Sequence, residues 1–273
     1  MSDNQNNTLS VSILSGKGGV GKSNIVLNLG YALYMAQKTA MLMDCDLGLA
    51  NLDVLLGISP EMNLQDLLNE DTPVDDVLVA IEDDGLDILP ATSGVPELVE
   101  MDEDMREILF KKLVSLAGDY NFLLLDLGAG ISPTVMAFAS TTQLRLMVVT
   151  PEPTSLTDSY AVIKVLATQY DIKDFLVLVN QATSQSEAKT TFDRLNAACR
   201  NFLGIDLVFL GHIEHDPMVI ESVRRQTPLM KMAPNSLASK DIKLLAKRLM
   251  RYREDNAERI AERPILKKFP DPR

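Results

Sequence analysis

The chain of 273 residues has no tryptophan, two cysteines and two histidines, and these scarcities remove whole classes of chemistry. Cys45 and Cys199 form no C-x-x-C pair, so they offer neither a disulfide framework nor metal-ligand spacing and fit a reducing cytoplasm. His212 and His215 stand as H-x-x-H with no third ligand nearby, so no metal site is expected there. No apolar stretch approaches the ~20 residues that a membrane-spanning helix needs. Residues 1–8 are polar and lack the apolar core of a secretory signal. Basic residues are also short: 26 Lys and Arg against 38 Asp and Glu leave a formal net charge of −12. Neutralising nucleic-acid phosphate needs clustered cations, so no direct nucleic-acid partner is expected.

What is present is an ordinary globular composition, 46% hydrophobic and 23% charged, with 13 methionines scattered at core-like positions. Short apolar runs at 9–14, 39–44, 86–89, 122–126, 144–150, 175–180 and 207–213 read as strands. Most are continuously apolar, as strands covered on both faces of a parallel sheet must be. Helical patterns lie between them, notably at 24–37, 102–117, 155–170, 186–202 and 235–253. The alternation predicts one α/β domain, a doubly wound, mostly parallel sheet with helices on both faces. The expected organisation is a polar tail over 1–8, the domain over 9–253 and a charged, solvated tail over 254–273. In the last stretch, Ile265, Leu266 and Phe269 make only a brief apolar patch, and Pro264 and Pro270 limit any helix to about one turn.

In such sheets a ligand sits beyond the carboxyl ends of the strands. After the first strand comes Gly16-Lys17-Gly18-Gly19-Val20-Gly21-Lys22-Ser23, followed by Asn24 and a helical pattern, which satisfies G-x-x-x-x-G-K-[ST] in the right context. Glycines let backbone N–H groups turn inward to cradle phosphate, and the following helix points its positive end at the same charge. Lys22 is expected to reach the β/γ-phosphates of a nucleoside triphosphate and Ser23 to hold Mg²⁺. The second strand ends in Asp44-Cys45-Asp46, where two acids at i and i+2 can face one site. The run Phe122-Leu123-Leu124-Leu125-Asp126 delivers one carboxylate to the Mg²⁺ region. No strong base stands out, which predicts slow intrinsic hydrolysis. The N-K-x-D signature of GTPases is absent at Asn180-Gln181-Ala182-Thr183, which favours ATP.

Lys17-Gly18-Gly19-Val20-Gly21-Lys22-Ser23 resembles the deviant Walker A motif of the MinD/ParA ATPases, and the resemblance extends over nearly the whole chain. It implies that Lys17 reaches across a two-fold interface to the partner's phosphates in an ATP-bound homodimer. It implies that Asp46, in a segment resembling switch I, positions the attacking water, and that Asp44 supports the Mg²⁺ shell. Leu127-Gly128-Ala129-Gly130 resembles switch II, with Gly128 where many members have proline. Asn180 and Asp216 take the positions of adenine-side residues. Gly48-Leu49-Ala50-Asn51-Leu52-Asp53-Val54-Leu55-Leu56-Gly57 is shared by MinD and its flagellar relative, while Ile88-Leu89-Pro90-Ala91-Thr92-Ser93-Gly94, Asp126-Leu127-Gly128-Ala129-Gly130 and Thr150-Pro151-Glu152-Pro153-Thr154-Ser155 look more like the flagellar branch, FlhG (FleN or YlxH). That branch implies control of flagellar number or placement through an FlhF-type GTPase, switch-complex proteins or a flagellar transcription regulator. The alternatives it leaves are a MinD-like division-site ATPase and a ParA-like cargo-positioning one. Residues 1–8 carry no DQAxxLR-type motif, so direct stimulation of an FlhF-type GTPase is not expected. Location at the membrane or the cell pole would rest on the short C-terminal patch alone.

Overall fold

The computed structural model describes residues 7–46, 51–69, 71–91 and 103–269. In chain order the elements are β1 (Leu9–Ser15), α1 (Lys22–Met35), β2 (Ala40–Cys45), α2 (Leu52–Leu56), β3 (Val79–Glu82), β4 (Leu86–Leu89), α3 (Glu103–Ala117), β5 (Phe122–Ala129) and α4 (Pro133–Thr141). There follow β6 (Leu144–Val149), α5 (Pro153–Tyr170), β7 (Phe175–Ala182), α6 (Gln185–Leu203), β8 (Val208–Glu214), α7 (Pro217–Arg224), α8 (Leu229–Met232), α9 (Leu237–Asp255) and α10 (Ala257–Ala261). Two 3₁₀ turns, Leu64–Leu68 and Val74–Val77, lie between α2 and β3.

The strands form one sheet in the order β3-β4-β2-β5-β1-β6-β7-β8, parallel except for β3. From β1 the chain winds to one side, returns through β5, and then winds to the other. This places the reversal of strand order, and its crevice, at β1 and its neighbours. The continuous apolar runs follow from burial on both faces. Along β5, Leu123, Leu125 and Leu127 join the core under α3–α6, while Phe122 and Leu124 join the core under α1, α8 and α9.

Both edges of the sheet are blunted. β3 has four residues, breaks register between Ala80 and Glu82, and runs into the exposed acids Asp83 and Asp84. β8 breaks register with β7 twice, and Arg248 Nη1 donates to the Leu210 carbonyl at 2.6 Å.

The structure corrects the expectation of a solvated C-terminal tail. Ile260 packs as part of α10, and residues 264–269 run past the start of β1 and the end of α4 as an irregular strap. Ser10 Oγ donates to the Ile265 carbonyl at 2.5 Å, Gln143 Nε2 to the Pro264 carbonyl at 3.0 Å, and Lys267 N–H to the Thr141 carbonyl at 2.8 Å. Ile265 and Leu266 are buried, and Phe269 meets Phe138 and Phe110 edge-on. Residues 264–269 form no helix, yet they bury side chains without one. Ile265→Ala is therefore expected to cost about 2–4 kcal/mol, a fall in Tm of roughly 5–10 °C. An unchanged melting curve would show the strap to be undocked in solution. Among the described residues no helix is long and apolar enough to cross a membrane.

Candidate functional site

The loop from Gly16 to Gly21 joins β1 to α1 at the carboxyl end of the central strand. A Cβ on Gly16 would lie 2.1–2.5 Å from the backbone of Asp158 and Ser159, so the loop presses directly on α5. Gly21 has φ +92°, a conformation open to glycine, and a Cβ there would meet Asn180 Nδ2 at 2.7 Å. α1 starts at Lys22 without a side-chain cap, as do α5 and the short α2, α8 and α10, whereas Ser132, Ser184, Asp216 and Ser236 cap α4, α6, α7 and α9. The first N–H groups of α1 are thus left for a ligand, and helix polarity makes that ligand an anion.

Lys22 is buried; burial draws its ammonium below the usual range, opposed by the charges of Asp126 and Asp46. Asp44 and Asp126 are register partners on β2 and β5. Burial first, then the neighbouring Asp44, pushes the Asp126 carboxyl up to about 7, while Ser23 and Lys22 oppose the shift. The Ser23 hydroxyl bonds the Asp126 carboxylate, and Asp126 Oδ1 is buried with no hydrogen-bond partner among the described residues. A hard cation with oxygen ligands fits this place: it would satisfy the orphaned oxygen and neutralise the paired carboxylates. Among the described residues no three-ligand His/Cys/Asp/Glu cluster exists. A Mg²⁺ bound mostly by phosphate, water and one hydroxyl needs none.

Asp44 holds the segment that leaves β2. Its Oδ1 accepts the Asp46 N–H at 3.1 Å, and its Oδ2 accepts those of Asn51 and Leu52 at 2.9 and 3.1 Å. Burial still raises its carboxyl to about 6 against these bonds. Asp46 Oδ1 lies 3.5 Å from the position of a Cβ on Gly128, beside switch II, and its charge is felt by both Lys22 and Asp126. Gly130 N–H donates to the Ser15 carbonyl at 2.9 Å and ties switch II to the phosphate loop. Residues 47–50 of the switch I segment and 92–94 of the other flagellar-type motif lie outside the described residues.

The raised carboxyls set a pH dependence for the protein free of nucleotide and metal. In the unfolded chain these groups release protons near their ordinary 3.8; in the folded chain they hold them to about 6 and about 7. Their contribution to stability therefore rises as pH falls from 8 towards 5 and levels off below about 4. Chelator-treated protein unfolded by denaturant across this range should show that slope. Asp126→Asn should flatten it and raise stability at pH 8; an equal slope in the variant would refute the assignment.

Lys17 points away from this cluster. Its Nζ meets Glu152 Oε2 at 2.5 Å and Thr154 Oγ1 at 3.4 Å at the start of α5, and both partners of the ion pair are well exposed. Sequence reasoning gave Glu152 and Thr154 no role, although Thr150-Pro151-Glu152-Pro153, following an apolar strand, marked the segment. Gly18 and Gly19 have open space where a Cβ would stand, and Val20 is buried. Asn24 on the first turn of α1 accepts from Asn28 Nδ2 through its carbonyl at 2.8 Å and its side chain at 3.2 Å.

Asn180 and Asp216, expected on the adenine side, both bond to other parts of the chain. Asn180 Nδ2 donates to the Val20 carbonyl at 2.7 Å, bracing the phosphate loop from β7. Asp216 caps α7 through the Met218 N–H at 2.9 Å and reaches the start of α9 through the Ala238 N–H at 3.1 Å. Burial alone would raise the Asp216 carboxyl, but these backbone donors outweigh it and hold it low. Among the described residues His212 and His215 join no ligand set.

Residues 6–250 match the ParA family, described as NUBPL iron-transfer P-loop NTPase. The antiactivator FleN of Pseudomonas aeruginosa is 36% identical over 239 residues, covering 88% of this chain and 85% of FleN. The flagellum site-determining protein YlxH of Helicobacter pylori is 34% identical over 270 residues, covering 98% and 90%. Among solved structures, the septum site-determining protein MinD of Pyrococcus horikoshii, complexed with Mg-ADP, superposes with a TM-score of 0.72 at 26% identity, covering 94% of this chain and all of that one. MinD in the MinC:MinD complex of Aquifex aeolicus gives 0.70 at 28% identity, covering 89% and 96%. With its uncapped helix behind the lysine-bearing loop, this chain belongs to the ParA/MinD family of P-loop ATPases.

Proposed function

We propose that this chain is an ATP-dependent switch that dimerises around nucleotide and regulates the number or placement of flagella through partner proteins. The observation that carries the nucleotide part is the bare start of α1 beside the buried Lys22–Ser23–Asp126 cluster with its orphaned oxygen. Lys22 and the loop N–H groups would hold the phosphates, Ser23 and Asp126 would hold Mg²⁺, and Asp46 would orient the attacking water. Mg²⁺, when bound, would offset charge on the β- and γ-phosphates. Asn180 gives one N–H of its amide to Val20 and keeps its carbonyl oxygen as an acceptor, which suits the amino group of adenine.

Dimerisation is supported by Lys17, which is half-exposed and held by a surface ion pair of the kind that breaks at little cost. It is supported further by exposed Val54, Ile131, Met218, Ile220 and Val223, on segments that leave the carboxyl ends of β2, β5 and β8. The flagellar part rests on the likeness to FleN and YlxH over most of all three chains. An FlhF-type GTPase, switch-complex proteins or a flagellar transcription regulator would be the partners.

A deletion strain complemented with the wild-type gene or with Lys17→Ala tests both parts. Extra or misplaced flagella in cells of normal length, cured by wild type and not by Lys17→Ala, is the expected result. Normal flagella with minicells or filaments would move the chain to the division-site reading.

A further inference from the structure

Charge is unevenly spread over this acidic chain. From residue 39 to 105 there are 18 Asp and Glu and no Lys or Arg, whereas from 237 to 269 ten Lys and Arg face five acids. The basic excess is concentrated on α9. The inner side of that helix, Ile242, Leu245 and Leu249, is buried in the core it shares with α1. Its outer side carries Leu237, Lys240, Leu244, Lys247 and Arg251, at alternating steps of three and four residues.

That outer row is exposed along its length: Leu237 is 55% and Leu244 45% accessible, and Lys240, Lys247 and Arg251 are exposed with them. Past Arg251 the row ends in the exposed acids Glu254 and Asp255, and three other charges of the helix are turned elsewhere. Asp241 accepts the Glu214 N–H, Lys243 donates to the Pro234 carbonyl, and Arg248 donates to the Leu210 carbonyl. Arg251 has only an exposed contact with Asp255, at 3.5 Å. The side chains of Lys240 and Lys247 have no hydrogen bond or ion pair among the described residues. The row is thus a seam of one sign with two leucines a heptad apart.

A helix surface with alternating steps of three and four is what one helix presents to another laid alongside it. We infer that the outer seam of α9 is a docking site for an acidic amphipathic helix of a partner protein, leucines against Leu237 and Leu244 and carboxylates against Lys240, Lys247 and Arg251. A net charge of −12 repels such a helix everywhere else on the molecule, so the same field that disfavours it in general steers it here. A bilayer is the poorer fit, because the apolar side of α9 is already covered by α1 and β8 and two separated leucines bury little area. Nucleic acid fits less well again, for three cations on a strongly acidic body neutralise few phosphates.

The test uses the full chain and a synthetic acidic helix of about three heptads, Leu at one seam position and Glu at the other, read by fluorescence anisotropy. Binding that weakens at least tenfold in Lys240→Glu/Lys247→Glu/Arg251→Glu, and likewise in Leu237→Ser/Leu244→Ser, supports the proposal. Circular dichroism and ATP affinity should match wild type in both variants. A matching basic peptide that binds the charge-reversed protein and not the wild type would support it independently. The proposal is overturned if the acidic peptide does not bind, binds the charge-reversed protein equally well, or binds no better than a scrambled peptide of the same composition. It is also overturned if the seam captures phosphatidylglycerol vesicles or duplex DNA and leaves the peptide free.

Discussion

Asp46→Ala should bind ATP with near wild-type affinity, hydrolyse it about 100-fold more slowly and accumulate as a dimer. The carboxylate stands beside Gly128 in switch II and within electrostatic reach of Lys22 and Asp126. It bonds no phosphate-loop N–H, so its removal leaves the cradle intact. The loss falls on the step that consumes the nucleotide, and a species that forms but is not consumed builds up. Light scattering behind a sizing column under saturating Mg²⁺ and ATP, with phosphate release measured in parallel, separates the outcomes. Lys22→Ala is the comparator, expected to stay monomeric because it loses the nucleotide itself. A monomeric Asp46→Ala, or one hydrolysing at the wild-type rate, would remove Asp46 from the reaction and the dimer from the mechanism.

Gly16→Ala should weaken ATP binding at least about 100-fold, a loss near 2.7 kcal/mol. The new methyl would lie 2.1–2.5 Å from backbone atoms of Asp158 and Ser159 in α5, and backbone cannot swing aside as a side chain can. Either the loop lifts or α5 shifts, and both disturb the alignment of the loop N–H groups with Lys22. Gly18→Ala is the internal control, because nothing lies within 4 Å of its Cβ position. It should leave the melting temperature of the free protein unchanged, whereas Gly16→Ala lowers it. Equal effects at the two positions would mean that glycine matters in this loop for flexibility alone and not for the contact with α5.

How much of this was legible depends on how each element declares itself. Strands covered on both faces show as continuous apolar runs, and β4 falls at 86–89 as expected. The loop motif located Lys22, Ser23 and the start of α1 within two residues. β5 runs three residues past Asp126, because Leu127 and Gly128 continue the ladder into switch II, where glycine masks the strand signal. β3 went unseen: it is short, half-exposed and antiparallel, so neither alternation nor a continuous run marks it. The strap at 264–269 escaped for a different reason. Periodicity detects segments that bury a face through regular structure, and Ile265, Leu266 and Phe269 do so without any. Asp216 caps α7 next to it in sequence, but its bond to the start of α9 joins residues 22 apart and has no local signature. Lys17 carries the same lesson, since its partner Glu152 lies 135 residues away, just before α5.

The blunted sheet edges decide what an association experiment reports. An open edge strand offers unpaired backbone groups to any other chain, and proteins with long, flat edges stick to one another whatever ligand is present. Here one edge is a four-residue bulged strand running into acids, and the other has a carbonyl taken by Arg248. Background self-pairing through the sheet is thereby suppressed on both sides. A change in mass on adding nucleotide can be read as face-to-face contact at the mouth of the site, and titrating the protein in the absence of nucleotide gives the baseline directly.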